Sequence, residues 1–596
     1  MFDVEVPVLV VGGGGCGLAA SVFLSDVGVR HLVVERREST SVLPRAHYLN
    51  QRTMEIFRQH GIADDVYRIS CPLPNMSEVV WRTSLGGDGP VDGRELHRMD
   101  AFGGGTTAGP YAADSTGPST NLPQHRLEPL LRRHAERRDP SSLLFNHQME
   151  EFTQDENGVR ARVTDRVTGE VGTVRARYLL GADGGRTVGG ALGIPMDGAG
   201  GGFTIISVHF SADLSRWWSD SVLMTHIFGL DGEVSVLVAS GPGWGSASEE
   251  WALHFRVPPG TAAGDLDAEA ITGRVRGLLK LPEDLGVRIH HVSEYRPEAV
   301  VARSFRSGRV LLAGDAAHRQ PPAAGGGLNT AIQDVHNLAW KLRAVLDGRA
   351  GDGLLDSYEA ERLPVARRNV GWAMGCLLNY GILFASLGMA HGKPEATEAS
   401  IRELLAGTPM GETRRAVVRE AFGTQRIEYQ AHDIELGHHY VAGAVLPDGT
   451  PPPPRDPMGA VYRPTTRPGH RLPHAWLRHG DDRVSTHDLV GGAGGFVLIT
   501  GPLGEGWAAA AKKVADTHGV ALTVVPIGSE PDAVGHWDAE GAWTVVRGIE
   551  DDGAVLVRPD QHVAWRSVQG SRHADQELDA VFDHVLGRSG ATNSGS

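Results

Sequence analysis

The chain has 596 residues and a net charge of −15, from 57 Lys and Arg against 72 Asp and Glu. That length implies roughly two to four domains with ample core, and the acidic balance argues against nucleic acid or an anionic membrane as partner. Three scattered cysteines, Cys16, Cys71 and Cys376, exclude a disulfide framework or a cysteine-rich metal site and fit a reducing compartment. The N-terminus carries Asp3 and Glu5 and enters a strand almost at once, so no signal peptide is read and a cytoplasmic protein is expected.

The first elements are a strand, a glycine-rich turn and a helix, VPVLVVGGGGCGLAASVFL, followed by a second apolar run, HLVVE, that ends at Glu35. The run Val8–Val11 feeds Gly12, Gly14 and Gly17 in G-x-G-x-x-G register, and Glu35 stands eighteen residues past Gly17. Gly12 permits a tight turn, Gly14 lets the backbone approach a pyrophosphate, and Gly17 lets helix and strand pack closely. Gly15 and Cys16 lie where the helix N-terminus offers N–H groups and a positive dipole end to an anion. Glu35 suits a ribose diol and disfavours a 2′-phosphate, so FAD or NAD is expected here rather than NADP. A glycine-rich structural turn is the bland alternative; strand, spacing and acid together weigh against it.

Further along, a helix is expected over Asn50–His60, then a Gly-, Ser-, Thr- and Pro-rich excursion from about 72 to 119. A helix over Arg126–Glu136 and strands over Val159–Thr164 and Thr173–Leu180 follow. Residues 203–300 alternate as strands, interrupted by one helix, Ala268–Leu279. The strand RVLLAGDAAH, a glycine loop and a long helix, Asn329–Leu346, come next. The apolar run Gly371–Met389 contains Asn379, Tyr380 and four glycines and is expected as a buried or interfacial helix pair, not a membrane span. A Pro-rich stretch at 446–457 marks a boundary before a compact α/β unit with strands FVLIT and ALTVVPI, helix Gly506–Thr517 and hairpin AVLVRPDQHVAWR. The tail SGATNSGS is expected to be disordered.

Two later motifs narrow the nucleotide to FAD. In YLLGADGGRTVGGALGI, Asp183-Gly184 sits at a strand end; in RVLLAGDAAHRQPPAAGGGLNTAIQDVHNLAWKL, Asp315 ends a strand, Pro321-Pro322 stiffens a turn, and Gly325–Gly327 opens a helix near Leu328-Asn329. Asp315 can hold a ribityl hydroxyl, and backbone N–H groups at Gly327–Asn329 can face the N1/O2 edge of an isoalloxazine. With the glycine fingerprint, the Asp-Gly motif and the GD-x5-PP loop in this order, the chain resembles the group A flavoprotein aromatic hydroxylases over nearly its whole length. PRAHYLNQRTMEIFRQHG resembles the branch of dichlorophenol and phenol hydroxylases and polyketide-tailoring oxygenases; PGHRLPHAWL and LVRPDQHVAWR resemble that branch's thioredoxin-like C-terminal domain. One departure stands out. The Asp-Gly motif commonly ends in Ser-x-Val-Arg and here reads GGRTVGGALGI, which puts the docking of NAD(P)H in doubt.

The resemblance implies an α/β chain: a discontinuous Rossmann-like FAD-binding domain (1–75, 120–190, 300–395), an inserted β-sheet substrate domain (76–119, 191–299), a helical linker (396–455) and a thioredoxin-like domain lacking CxxC (456–590). It implies FAD contacts from Gly12, Gly14, Gly15, Cys16, Gly17, Glu35, Arg36, Arg45, Gln124, Asp183, Asp315, Pro322, Gly325, Gly327, Leu328 and Asn329. It implies NADPH or NADH as co-substrate, O2, and hydroxylation of a phenolic or hydroxypyridine-type ring through a flavin C4a-hydroperoxide, in secondary metabolism. A phenolate is the better nucleophile, so a base near the substrate hydroxyl is useful; His47 is the candidate, with Tyr48 second. Met224, His226 and Phe228 alternate along one strand and are candidate pocket residues, as is Pro321. No metal site is read among the 27 histidines. The C-terminal unit lacks Cys and is expected to be structural or oligomeric, in a homodimer first. A Baeyer–Villiger oxygenation, an NAD-dependent dehydrogenase and a non-enzymatic FAD scaffold remain as alternatives.

Overall fold

Strands Val310–Leu312, Val171–Gly181, Asp3–Val11, His31–Glu35 and Leu143–Phe145 lie side by side in that order, all parallel. The computed structural model describes residues 3–200, 202–257, 267–531 and 535–588; the tail at 589–596 lies outside the described residues. Val8, Leu9 and Val10 are all fully buried, as a parallel strand covered on both faces requires. Helix Gly15–Asp26 packs on helices Gln124–Arg138 and Gly326–Leu346. The sheet is fed from three distant parts of the chain, so the ends of its strands bring residues 12, 183 and 315 together.

A second sheet takes its strands in the order Arg288–Tyr295, Thr204–Ser211, Glu250–Val257, Val234–Gly241, Val222–Phe228, Glu78–Arg82 and Glu95–Asp100. The excursion after residue 72 thus joins this sheet at its edge. The pleat sorts its side chains. Val80, Ile227, Leu237 and Leu253 pack with Ile271 and Val275 of helix Ala268–Leu279. Val79, Trp81, Met224, Phe228 and Val238 face the other way, onto Tyr48, Phe102, Leu383 and Tyr429.

The run at 371–389 is not a helix pair but the second half of one continuous helix, Gly353–Leu387, with Pro364 inside it. Val365, Ala366, Val370, Ala373, Cys376, Leu383 and Leu387 form a buried stripe at helical spacing, and this packing outweighs the low helix propensity of Gly371, Gly375 and Gly381. The helix ends at Gly388, in the left-handed region at φ 66°. It is long and apolar enough to cross a membrane, yet this stripe is covered by protein. Helix Gly326–Leu346 begins earlier than expected, and Gln124–Arg138 starts two residues before Arg126.

The C-terminal sheet runs Asp482–Ser485, Trp476–His479, His536–Trp537, Leu522–Gly528, Phe496–Thr500, Ala554–Val557, Val563–Ser567. Helices Glu505–His518 and Ala574–Val585 pack together beside it. Phe496, Trp507 and Phe582 belong to the same apolar core as Val10 and Leu342, so this unit is fused to the nucleotide domain rather than tethered to it. Ser485 and Asp488 form a helix-capping box, not a hydrolytic pair.

Candidate active site

At the strand ends, geometry dictates residue type. Gly12 adopts φ 109°, and a Cβ there would strike the Ala182 carbonyl; a Cβ at Gly17 would overlap the Gly12 carbonyl oxygen. Gly14 caps helix Gly15–Asp26, and a Cβ on it would meet nothing nearer than Glu128 Oε1 at 3.5 Å. Glu35 accepts from the Gly13 and Arg37 amides at 2.8 and 2.9 Å, which fixes its carboxylate beside the loop. Arg36 is exposed, and its carbonyl accepts from Arg166.

One acid escaped the sequence reading. Glu128, 2% exposed, accepts from the Gly15 amide at 2.8 Å, the Ser41 amide at 2.7 Å and Gln124 Nε2 at 2.6 Å. Burial pushes its pKa up and these three bonds oppose. A carboxylate at a helix N-terminus is favoured by the dipole. Gln124 therefore acts here by holding Glu128, and the only signal in the sequence is their i, i+4 spacing.

Asp183 accepts from the Gly185, Thr187 and Val188 amides at 3.1, 2.6 and 3.0 Å. Its carboxylate shapes the turn into helix Val188–Ala191. Asp315 is exposed at the end of strand Val310–Leu312, and the surrounding protein pushes its pKa up, opposed by His318, Arg319, Arg186 and Arg45. Among the described residues Arg45 Nε is buried without a partner, its guanidinium lies 5.5 Å over the Tyr295 ring, and its carbonyl accepts from the Gln124 amide at 2.9 Å. Cys16 is a packing residue: its thiol donates to the Ala331 carbonyl at 3.7 Å, and burial pushes its pKa well up. Leu328 covers Gly15, where a Cβ would come within 2.8 Å of Leu328 Cδ1.

In the loop before helix Gly326–Leu346, Pro321 is buried, Pro322 is exposed, and Ala324 and Gly325 are both left-handed, at φ 55° and 56°. A Cβ at Gly325 would meet the Tyr48 ring at 2.7 Å. The helix N-terminus is already partly capped: with its amide oxygen turned inward, Gln320 accepts from the Gly327 and Gly326 amides at 2.7 and 3.2 Å. Asn329 spends its side chain on protein, donating to the Tyr48 and Gly325 carbonyls at 2.9 and 2.7 Å and accepting from the Asn50 amide and Thr53 Oγ1 at 3.1 and 2.7 Å. Its side chain is a clamp on this loop, which leaves the expectation for its backbone N–H untouched.

Residues 5–373 match the FAD binding domain family, and residues 465–589 match the aromatic-ring hydroxylase C-terminal family. The chain belongs to the FAD-dependent aromatic-ring hydroxylases. It is 36% identical to phenol 2-monooxygenase of Pseudomonas sp. (strain EST1001), over 98% of this chain and 93% of that one. It is 37% identical to tetracenomycin A2 monooxygenase-dioxygenase of Streptomyces glaucescens, over 99% of each. Among solved structures, the flavin-dependent monooxygenase PieE in complex with FAD and substrate matches with a TM-score of 0.91 and 41% identity, over 98% of this chain and 99% of that one. The ternary complex of aklavinone-11 hydroxylase with FAD and aklavinone matches at 0.78 and 31%, over 99% and 100%. The glycine cradle, the orphaned Arg45 Nε and the exposed Asp315 fit FAD as this hydroxylase's cofactor.

Toward the second sheet, His47 Nδ1 lies 2.6 Å from Asn121 Oδ1. Burial pushes the His47 imidazole down in pKa, the Asn121 bond opposing. His254 of strand Glu250–Val257 is near enough to repel it electrostatically and is itself pushed by burial down to about 3. Tyr48 turns its hydroxyl onto Glu435 Oε1 at 2.8 Å and its ring onto Phe102. Met224, His226 and Phe228 do share a face. His226 Nε2 meets the Tyr429 hydroxyl at 2.7 Å, its Nδ1 the Tyr380 hydroxyl at 3.2 Å, and its ring stacks on Trp81. Burial lowers its pKa to about 3. Tyr380, Glu428 and Tyr429 come from beyond the sheet and carried no motif.

The sequence reading found no metal set, yet His125, His209 and Glu250 bring possible ligand atoms within 4.8 Å of one another. They come from three separate elements, so spacing could not show them. Glu250 Oε2 already accepts from Arg126 at 2.8 Å and lies 2.9 Å from His209 Nε2, so the group reads as a hydrogen-bonded network joining helix Gln124–Arg138 to the second sheet.

Proposed function

We propose that this hydroxylase acts on a phenolic or hydroxypyridine-type ring in secondary metabolism, with NAD(P)H and O2 as co-substrates, and that His47 ionises the ring hydroxyl. FAD, when bound, supplies hydride acceptance from the nicotinamide and delivery of one oxygen atom from O2. Gly12, Gly14, Gly17, Glu35, Arg45, Asp315 and the Gly325–Leu328 backbone would hold it.

The His47–Asn121 pair carries this reading. With Asn121 Oδ1 accepting from Nδ1–H, the lone pair of a neutral imidazole is left on Nε2, free to accept a phenol proton. Burial keeps the ring neutral, and no acid need be ionised to make it a base. Strand Val222–Phe228 and Pro321 would exclude water from the ring. The polyketide and phenol substrates named for the relatives agree with an oxygenated aromatic guest. The C-terminal unit, without cysteine, serves as a structural lid over helices Gln51–Gln59 and Gly353–Leu387, and the working assembly is a homodimer.

Anaerobic stopped-flow reduction by NADPH, with a panel of hydroxylated aromatics, tests the class. A compound that accelerates reduction, and in air gains one oxygen atom, supports it; NADPH oxidation indifferent to every phenol overturns it.

A further inference from the structure

His125, His209 and Glu250 meet at one end of strands Thr204–Ser211 and Glu250–Val257. Ser211 stands opposite Glu250 in that pairing, so His209 and Glu250 share a face of the sheet. His125 reaches them from the first turn of helix Gln124–Arg138. His209 Nε2 lies 2.9 Å and His125 Nε2 3.8 Å from Glu250 Oε2, and one donor atom from each residue lies within 4.8 Å of the other two. A tetrahedral zinc ion with bonds of about 2.0–2.1 Å sets its ligand atoms about 3.3–3.4 Å apart. The observed spacings bracket that requirement, and side-chain shifts of about 1 Å meet it. The group is open on one side: the Glu250 and Arg126 side chains keep 23% and 25% of their surface exposed, so solvent reaches the carboxylate.

We infer that His125, His209 and Glu250 form a binding site for a divalent transition-metal ion of the zinc class, which pins the first turn of helix Gln124–Arg138 to the second sheet. Two imidazoles and a carboxylate are a sufficient protein donor set for zinc, with a fourth position left to water. Metal-free, the same groups make the hydrogen-bonded network described above, and that network leaves donors unspent. His125 Nδ1 and His209 Nδ1 have no hydrogen-bond partner among the described residues, and the 3.8 Å between His125 Nε2 and Glu250 is beyond hydrogen-bond length. Burial pushes His125 down in pKa, opposed by Glu250; burial would raise Glu250, but His125, His209 and Arg126 outweigh it. A neutral imidazole and an ionised carboxylate are the forms that ligate metal. His290 stands where strand Arg288–Tyr295 slips register beside His209, its ring 4.9 Å from that of His209 and its Nε2 2.6 Å from Ser211 Oγ, and adds a further imidazole at the rim. Arg126 opposes a cation, because it donates to Glu250 Oε2 at 2.8 Å. The site therefore selects ions that favour nitrogen donors over Mg2+ and Ca2+, which favour oxygen.

The test titrates the FAD-loaded enzyme, free of any affinity tag, with Co2+ and reads the visible bands of the bound ion, then adds Zn2+ or Mg2+ as competitor. Expected for wild type is one equivalent of Co2+ with the strong bands of a four- or five-coordinate ion, displaced by one equivalent of Zn2+ and untouched by excess Mg2+. His125→Ala should weaken Co2+ binding by about 100-fold. Arg126→Gln removes the competing charge and should tighten it by about tenfold. His209→Gln should weaken it as His125→Ala does; if that variant does not fold, the other two decide. Zn2+ should raise the melting temperature of wild type and leave that of His125→Ala unchanged. Bands no stronger than those of the hydrated ion, a Co2+ isotherm unchanged in His125→Ala, or an Arg126→Gln enzyme that binds no tighter overturns the site.

Discussion

Arg558 and Glu361 lie 197 positions apart and face each other with no exposed surface, two guanidinium nitrogens on two carboxylate oxygens at 2.7 and 2.9 Å. Lys341 adds a third bond to Glu361 at 2.7 Å, and Asp560 binds Arg558 from the other side. Burial alone would raise the Glu361 pKa; Arg558 and Lys341 outweigh it. A second buried pair, Arg471 with Glu55, repeats the arrangement on helix Gln51–Gln59. Both tie the C-terminal unit to helices of the nucleotide domain.

Breaking such a pair strands a charge in the core. Arg558→Met should therefore cost about 3–5 kcal/mol. Arg483→Ala, which breaks a pair whose side chains are 48% and 52% exposed, should cost about 0–1 kcal/mol. Denaturant midpoints of the two variants decide the matter; equal small losses would mean that the C-terminal unit is only loosely attached.

The glycine loop separates fold from cofactor. Gly17→Ala has no room, because its Cβ would overlap the Gly12 carbonyl oxygen, and soluble protein should be largely lost. Gly14→Ala meets only Glu128 Oε1 at 3.5 Å, so the fold should survive with its melting point within a few degrees. Its methyl group projects ahead of the helix, where a diphosphate would pack, and FAD affinity should fall by about tenfold or more. Fluorimetric FAD titration reads this; wild-type affinity in Gly14→Ala would misplace the phosphate.

For the proposed base, the direction of the pKa shift sets the pH profile. Because burial holds His47 below the ordinary imidazole value, its Nε2 stays free into mildly acid solution. Hydroxylation should hold steady through the ordinary imidazole range, near about pH 6.5, and decline only below it. His47→Ala should retain FAD and lose about 10²-fold or more of the hydroxylation rate, most at pH values below the phenol's own pKa. Asn121→Ala removes the bond that fixes the tautomer and should lose less, with rate and coupling falling together. Oxygen-coupled turnover across pH reads all three, and a His47→Ala profile that overlays wild type would remove the base assignment.

How far the sequence reached can be judged residue by residue. Gly12, Gly17 and the strand ends at Asp183 and Asp315 were legible because local backbone geometry demands them, and the alternation of Met224, His226 and Phe228 is a local property of a strand. Glu128 and Gln320 were not, because their partners are backbone amides in loops that only the closed fold brings near. At Asp183 and Asn329 the fold spends the side chains on its own amides and carbonyls, which no local motif announces. Glu428 and Tyr380 lie in segments without motif, and they come together only when a long helix and a single-turn helix close over the second sheet. The helix Gly353–Leu387 differs in the other direction: where a helix pair was expected, one helix runs through Gly371, Gly375 and Gly381, carried by packing on one face.

The buried histidines make stability depend on pH with a definite sign. Burial lowers His226, His432, His470 and His487 to about 3 and pushes His336, His438 and His562 well down. Unfolded, each would titrate near 6.5. Between those values the unfolded chain binds protons that the native chain refuses, so this stability is whole above about pH 6.5 and drains away as pH falls toward 3. Glu428 and Glu435 work in the opposite direction, because burial raises them to about 7 and about 8; what they contribute is whole below about pH 4.5 and is lost as pH rises through those higher values. His254 and His474 are lowered in the same way, to about 3 and about 4. Together these histidines outnumber the carboxyls that burial raises, Glu428, Glu435, Asp114, Glu128 and Asp315, so stability should fall on acidification, by several kcal/mol between about pH 6.5 and about pH 5. His226→Asn, which keeps a polar group near the ring's Nδ1 position but cannot take up that proton, should flatten the slope by about one proton. Urea unfolding as a function of pH measures this slope; an enzyme equally stable at both ends of that interval would show that these imidazoles are already reached by water.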